Sequence, residues 1–178
     1  IITIEDPVEY HMSMAEQVNV RDKIGLSFSN VLRSILRQDP NVIMLGEIRD
    51  HETAEVAFHA ALTGHLVLST LHTNSSIASI TRLRDMGLEP YVISDALVGV
   101  IAQRLVRKIC AHCREPISPD AETLDALKIQ SGALKAFCGK GCDRCNGSGY
   151  KGRIGIYEIF QVDGELKRMI HQDATEPE

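Results

Sequence analysis

The sequence predicts an α/β chain built on a parallel sheet, followed by a loop-rich module that carries a metal site. Three observations predict it. Short continuous apolar runs at Ile1–Ile4, Val42–Leu45 and Leu66–Leu68 alternate with helical patterns. Each of these runs ends in acids, hydroxyls or an imidazole. Four cysteines are set as Cys110-x2-Cys113 and Cys142-x2-Cys145, the spacing of two metal knuckles.

The elements follow in order. The three apolar runs are continuous rather than alternating, as expected of strands covered on both faces. Phe28, Val31, Leu32, Ile35 and Leu36 share one helical face, with Ser27 as N-cap and Asp39-Pro40 as the stop. Ala54, Ala57, Phe58, Ala61 and Leu62 form a second stripe, opened by Asp50 and closed by Gly64. Strand, helix, strand, helix, strand is the pattern of right-handed parallel crossovers. A third helix is expected from Ser76 to Met86, stopped by Gly87, and a long apolar one from Tyr91 to Val106. Residues 107–153 read as loops around the cysteines, Ile154 to Val162 as a strand and Glu165 to His171 as a helix. The expected division is therefore a core over 1–106, a tetracysteine module over 107–153 and a closing strand and helix over 154–178. Opening on Ile1-Ile2-Thr3-Ile4 with no initiator Met, the sequence reads as a portion of a longer protein.

Composition narrows the function. The 178 residues carry a net charge of -5, which argues against a general polyanion binder. Charge is uneven: Arg104 to Arg153 holds 10 Lys/Arg against 5 Asp/Glu. Four bound thiolates account for that excess more simply than a nucleic-acid patch does. Paired cysteines favour a metal in a reducing compartment over a disulfide framework, and Cys138 is left as a spectator. No signal peptide and no long apolar span is present, so membrane contact is expected only through partner proteins.

In open parallel sheets, ligands bind beyond the carboxyl ends of the strands. Here those ends carry Glu5-Asp6-Pro7, Gly46-Glu47 and Ser69-Thr70-Leu71-His72. Carboxylates, hydroxyls and a histidine gathered there make a phosphate and Mg2+ site, because Mg2+ takes hard oxygen ligands and keeps several waters. A carboxylate beside a terminal phosphate can orient the attacking water, and arginine stabilises the developing charge. Arg21, Arg33 and Arg37 are the candidates for that role. No G-x-x-x-x-G-K-[ST] loop occurs, and without its backbone nest and lysine the chain as written is not expected to hydrolyse ATP efficiently.

Four blocks carry a family resemblance. Thr3-Ile4-Glu5-Asp6-Pro7-Val8-Glu9-Tyr10 resembles the Asp box of the secretion ATPase superfamily, which spans type II secretion and type IV pilus assembly ATPases. Leu32 to Pro40 running into Gly46-Glu47-Ile48-Arg49-Asp50 resembles its arginine helix and Walker B strand, and Thr63 to Thr73 its His box. Ala102 to Arg107, the Cys pairs and Gly155-Ile156-Tyr157-Glu158 complete the match. The resemblance implies a RecA-like P-loop NTPase core, partial here because the Walker A strand and loop are missing, with an inserted tetracysteine zinc module. It implies a homo-hexameric ring using ATP, Mg2+ and Zn2+, cytoplasmic and peripheral to a bacterial inner membrane, docked on secretion or pilus platform proteins.

It also implies residue roles. Glu47 polarises the lytic water, Glu5 acts around Mg2+ and that water, and His72 senses the γ-phosphate. Arg21 and Arg33 act as arginine fingers. Asp6, Gly46 and Thr70 line the nucleotide and Mg2+. Cys110, Cys113, Cys142 and Cys145 hold zinc, in a module that retraction ATPases typically lack. The competing reading is a zinc-ribbon module that binds nucleic acid or unfolded protein without ATPase activity, suggested by Cys142-Asp-Arg-Cys145-Asn-Gly-Ser-Gly149. It leaves the strand-end acids unexplained.

Overall fold

Parallel pairing of three strands with almost no polar side chains, all ending at one edge, organises the first part of the chain. The computed structural model describes residues 1–126, 128 and 135–172. They fall into two compact units, one made of Ile1–Ala102 together with the chain from Glu158 onward, the other of Gln103–Tyr157.

In the first unit, β1 (Ile2–Glu5), β2 (Glu16–Asn19), β3 (Val42–Leu45) and β4 (Leu66–Ser69) form a four-stranded sheet in the order β2-β1-β3-β4. Every pairing in it is parallel, with Ile4 opposite Leu45 and Val18, and Leu45 opposite Ser69. That register brings the carboxyl ends of all four strands to a single rim. Ile4, Ile43 and Leu45 are fully buried, and Thr3 is enclosed on the other face of β1.

Helices α1 (Phe28–Ile35), α2 (His51–Leu62), α3 (Ala78–Asp85), α4 (Pro90–Ala96) and α6 (Gly164–His171) supply the rest of the core through Leu32, Ala54, Ala57, Leu83, Ile93 and Ile170. Their ends follow the local chemistry of the sequence. Ser27 accepts the Asn30 amide to open α1, and Asp50 accepts the Thr53 amide to open α2. Asp163 caps α6 through the amides of Glu165 and Leu166. Gly64 follows α2 at φ 101°, a left-handed value that favours glycine.

Two expectations and one omission need correction. The long helix predicted over Tyr91 to Val106 ends at Ala96, because Leu97 turns extended and residues Gly99–Ile109 form a long strand, β5. Its partner β8 runs over Tyr150–Gln161, well beyond the short strand expected at 154–162. The two strands run antiparallel, with Val162 meeting Val98 and Cys110 meeting Gly149. The apolar spacing over 97–106 suits either period, and pairing with β8 overrides the helix preference of Ala, Gln, Arg and Leu.

The second correction concerns β4, which is the outer strand of the sheet. Leu66 and Leu68 are 53% and 51% exposed rather than covered on both faces. The third is β2, which was not anticipated: Glu-Gln-Val-Asn has no apolar run, and its place at the opposite edge requires none.

The second unit holds the outer part of the β5–β8 ribbon, the hairpin-like pair β6 (Arg114–Ile117) and β7 (Ala136–Gly139), and the short helix α5 (Ala121–Ala126). The expected tail beyond Gln172 lies outside the described residues.

Replacing Asp50 with alanine removes the acceptor for the Thr53 amide, at a position where Thr53 is buried. The expected loss is about 1 kcal/mol, read as a lower midpoint in equilibrium urea unfolding with an unchanged slope.

Candidate functional site

Backbone groups and the Thr70 hydroxyl stitch the rim together. Past the end of β3, the Gly46 amide donates to the Ile4 carbonyl at 2.7 Å. The Gly46 carbonyl accepts from Thr70 Oγ1 at 2.7 Å, and the Ile48 amide donates to the Thr70 carbonyl at 3.0 Å. The segments after β1, β3 and β4 are thereby fixed side by side. A Cβ at residue 46 would stand 3.1 Å from the Ile4 carbonyl and 3.5 Å from Glu5 Cα. Glycine is what permits so close an approach.

Glu47 follows directly and is the focus of the charged groups. Its side chain is only 17% exposed. One carboxylate oxygen accepts from Arg49 at 2.5 Å, and the other lies 3.3 Å from His72 Nε2. Arg49 also reaches Asp6 at 3.4 Å and sits over the Phe28 ring, 5.7 Å from its centre. The hydrogen bond from Arg49 leads the causes that hold the Glu47 carboxyl below its ordinary range, opposed by burial and aided by His72. Residues from three strand ends, Asp6, Glu47 and His72, are therefore joined through one arginine and one imidazole. Arg49 was quoted in the sequence motif without a role. Its i+2 spacing from Glu47 was the available signal.

The other predicted residues are placed less centrally. Glu5 stands at the same rim, but its carboxylate turns along β1 to accept from Thr3 Oγ1 at 2.5 Å and from Gln17 Nε2 at 3.0 Å. Arg33 on α1 pairs with Glu52 at the start of α2. That hydrogen bond is the main cause lowering the Glu52 carboxyl. Arg21 is exposed in the turn after β2, its backbone bridged to Leu26. Neither arginine touches Glu47 or His72 among the described contacts.

The four paired cysteines of the second unit converge, with all their sulfurs within 4.8 Å of one another. Cys110 to Cys142 is 4.0 Å, and both Cys113 to Cys145 and Cys142 to Cys145 are 3.8 Å. Four sulfurs about 2.3 Å from a central zinc ion have edges of about 3.8 Å, whereas a disulfide needs about 2.05 Å. The donor set and spacing thus fit a tetrahedral metal. Cys145 Sγ accepts amides from Cys142 at 3.2 Å and Gly149 at 3.3 Å. Burial raises this thiol, yet those amides bring it down to about 6. Burial pushes Cys113 up to about 12. Cys138, on β7 opposite Glu115, stays outside the cluster.

Two glycines let the knuckles meet. A Cβ at Gly139 would fall 1.9 Å from the Gly149 carbonyl oxygen, and one at Gly149 would fall 2.3 Å from that of Gly139. Gly139→Ala should therefore force the knuckles apart and lower the metal content of the purified chain, measured by elemental analysis. In a second experiment, Arg49→Gln should raise the Glu47 carboxyl toward its ordinary value in an NMR titration. A lowered carboxyl stabilises the fold above the unfolded-state value, about 4.3, and that stability is lost as pH falls through the lowered folded value. The variant should therefore show a shallower acid-side loss below about pH 4.

The family described as Type II/IV secretion system protein matches residues 1–178. The chain is 50% identical to the type II secretion system protein E of Pseudomonas aeruginosa over 179 aligned residues, covering 100% of this chain and 36% of the relative. It is 52% identical to the type IV pilus assembly ATPase PilB of Thermus thermophilus, covering 98% of this chain and 20% of that protein. The chain thus spans about a third or less of these relatives' length. Among solved structures, the pilus retraction motor PilT with bound ADP superposes with a TM-score of 0.68 at 33% identity, covering 97% of this chain and 41% of that one. The Legionella pneumophila ATPase DotB, at 24% identity and a TM-score of 0.63 over 94% of this chain and 38% of its own, shares the fold. With a family match that runs the whole length of the sequence and identities near one half, the chain belongs to the type II/IV secretion system protein family.

Proposed function

We propose that the full-length protein hydrolyses ATP and that hydrolysis drives assembly of a type II secretion pseudopilus or a type IV pilus. The observation that carries this reading is Glu47, an enclosed carboxylate at the rim of a parallel sheet, engaged by a guanidinium and an imidazole with a second carboxylate beside it. Relatives named for type II secretion and for pilus assembly, and a retraction motor solved with ADP, support it.

In this reading the first unit is part of a RecA-like P-loop NTPase core, with ATP lying beyond the rim. The phosphate-cradling loop is not in this sequence, so turnover belongs to a longer chain, and residues 1–178 alone are expected to be inactive. Glu47 polarises and orients the attacking water, for which one of its two engaged oxygens must be released. Glu5 and Asp6 present hard oxygens to Mg2+ and its waters, and Mg2+ when bound would neutralise phosphate charge. Gly46 and Thr70 hold the rim backbone where the phosphates lie. His72, 89% exposed while it contacts Glu47, is free to turn toward a γ-phosphate. Arg21 and Arg33 make no contact with their own Glu47 among the described residues, and serve as fingers toward a neighbouring subunit of a homo-hexamer.

The four cysteines hold Zn2+ as a structural brace, the metal supplying folding energy to a unit with little apolar core of its own. The assembly would sit on the cytoplasmic face of a bacterial inner membrane, docked on platform proteins, with no nucleic-acid partner. No helix among the described residues is long and apolar enough to cross a membrane, and membrane contact is assigned to partner proteins. A free-standing zinc-ribbon binder is not favoured, since the relatives match the sheet and the cysteine unit together.

Glu47→Gln in the full-length protein should lower phosphate release by at least ~100-fold while nucleotide binding persists. Hydrolysis at the wild-type rate would remove Glu47 from the mechanism. Metal-replete protein should contain about one zinc per chain. Chelation should then raise amide exchange across Gln103–Tyr157 and leave the β1–β4 sheet protected; a zinc-free chain with the same protection would overturn the brace.

A further inference from the structure

The last block of the sequence motif, ending at Glu158, is absorbed by neither the zinc cluster nor the rim. Glu158 is the residue at which the chain rejoins the first unit. Its Oε2 accepts the backbone amide of Ser76 at 3.1 Å, across 82 residues of sequence. Ser76 is fully buried, so this amide has no water to fall back on and needs a protein acceptor. The acceptor is an ionised carboxylate, which forms a stronger bond than a neutral group.

The segment so gripped is the one that carries His72. From Thr70, whose hydroxyl and carbonyl are tied to Gly46 and Ile48, the chain passes through His72 to Ser76 and into α3. Within it, Thr73 Oγ1 donates to the Ser75 carbonyl at 3.0 Å and bonds Ser79 Oγ at the same distance. Ser75 Oγ accepts the Ala78 amide at 3.1 Å. The hydroxyl bonds are local, and α3 has no side-chain cap from its own N-cap residue, Ile77. Glu158 is thus a long-range fastening of a loop whose other end is fixed at Thr70. His72 lies between the two fastenings, with its imidazole on Glu47.

We propose that Glu158 is a positioning residue for the reaction, holding the 71–76 loop so that His72 meets Glu47. This rests on the ATPase reading for its kinetic consequence, though the fastening itself does not. A carboxylate-to-amide change keeps an oxygen able to accept the Ser76 amide, whereas alanine removes the acceptor.

The test uses the full-length protein with Glu158→Ala, Glu158→Gln and, as a control on the ATPase reading, Glu47→Gln. In Glu158→Ala, kcat should fall at least tenfold with the KM for Mg-ATP within twofold of wild type. Glu158→Gln should return to within about threefold of wild type in kcat, the order expected where a neutral acceptor replaces a charged one. Hydrogen exchange of the 71–76 amides should accelerate at least tenfold in the alanine variant and not in the glutamine variant, at matched melting temperatures.

Unchanged exchange at 71–76 in Glu158→Ala would overturn the fastening whatever the kinetics show. Faster exchange with unchanged kcat, or an equal loss of kcat in both Glu158 variants, would overturn the positioning role. If Glu47→Gln hydrolyses ATP normally, the ATPase reading of the rim fails, and the exchange data alone decide whether Glu158 holds the loop.

Discussion

The bond from the Gly46 amide to the Ile4 carbonyl is the constraint on which the rim depends. Parallel register alone brings strand ends near one another. It does not align the residues beyond them, where the ladder has stopped. This bond extends the alignment one residue past β3, and Thr70 extends it again by using both its hydroxyl and its carbonyl on the far side. The side chains of Glu47, Asp6 and His72 then start from adjacent segments of the same rim. A side chain at 46 would crowd the Ile4 carbonyl at 3.1 Å, so the enclosed carboxylate at 47 and the glycine before it work together.

Charge at the rim is balanced internally. Arg49 bonds the Glu47 carboxylate and reaches that of Asp6, so one guanidinium serves both. Its stacking over Phe28 ties the guanidinium to the first residue of α1. The cysteine cluster solves the opposite problem. Four sulfurs within 4.8 Å cannot share space as thiolates without a cation, and the amides on Cys145 favour ionisation there first. The first unit places a guanidinium at the centre of its carboxylates, and the second gathers a donor set that fits a metal cation.

Much of this was legible in the residues. Ser27 and Asp50 announced their helices, and the strand-end acids announced the rim, because capping and burial act locally and leave local marks. The four cysteines were legible by spacing alone. Three features were hidden for a physical reason each. β2 is an edge strand and needs no apolar run. The β5 segment carries an apolar spacing that suits either helix or strand, and only its partner β8, some fifty residues on, decides it. Arg49 as the centre of the cluster depends on a through-space contact with Asp6, forty-three residues away. Periodicity speaks to neighbours in sequence and is silent about such pairings.

The ribbon of β5 and β8 has an evolutionary consequence. The chain departs from the first unit after Ala102 and comes back at Glu158, and on the cysteine side Gln103 Nε2 already touches the Tyr157 hydroxyl at 3.0 Å. Departure and return are neighbours, so everything between them is a closed excursion. It can lengthen, shorten or vanish without rethreading a single strand of the sheet, and the closure entropy changes only slowly with its length. A lineage could therefore acquire or shed the cysteine unit as a cassette, while the rim's own geometry passes down untouched.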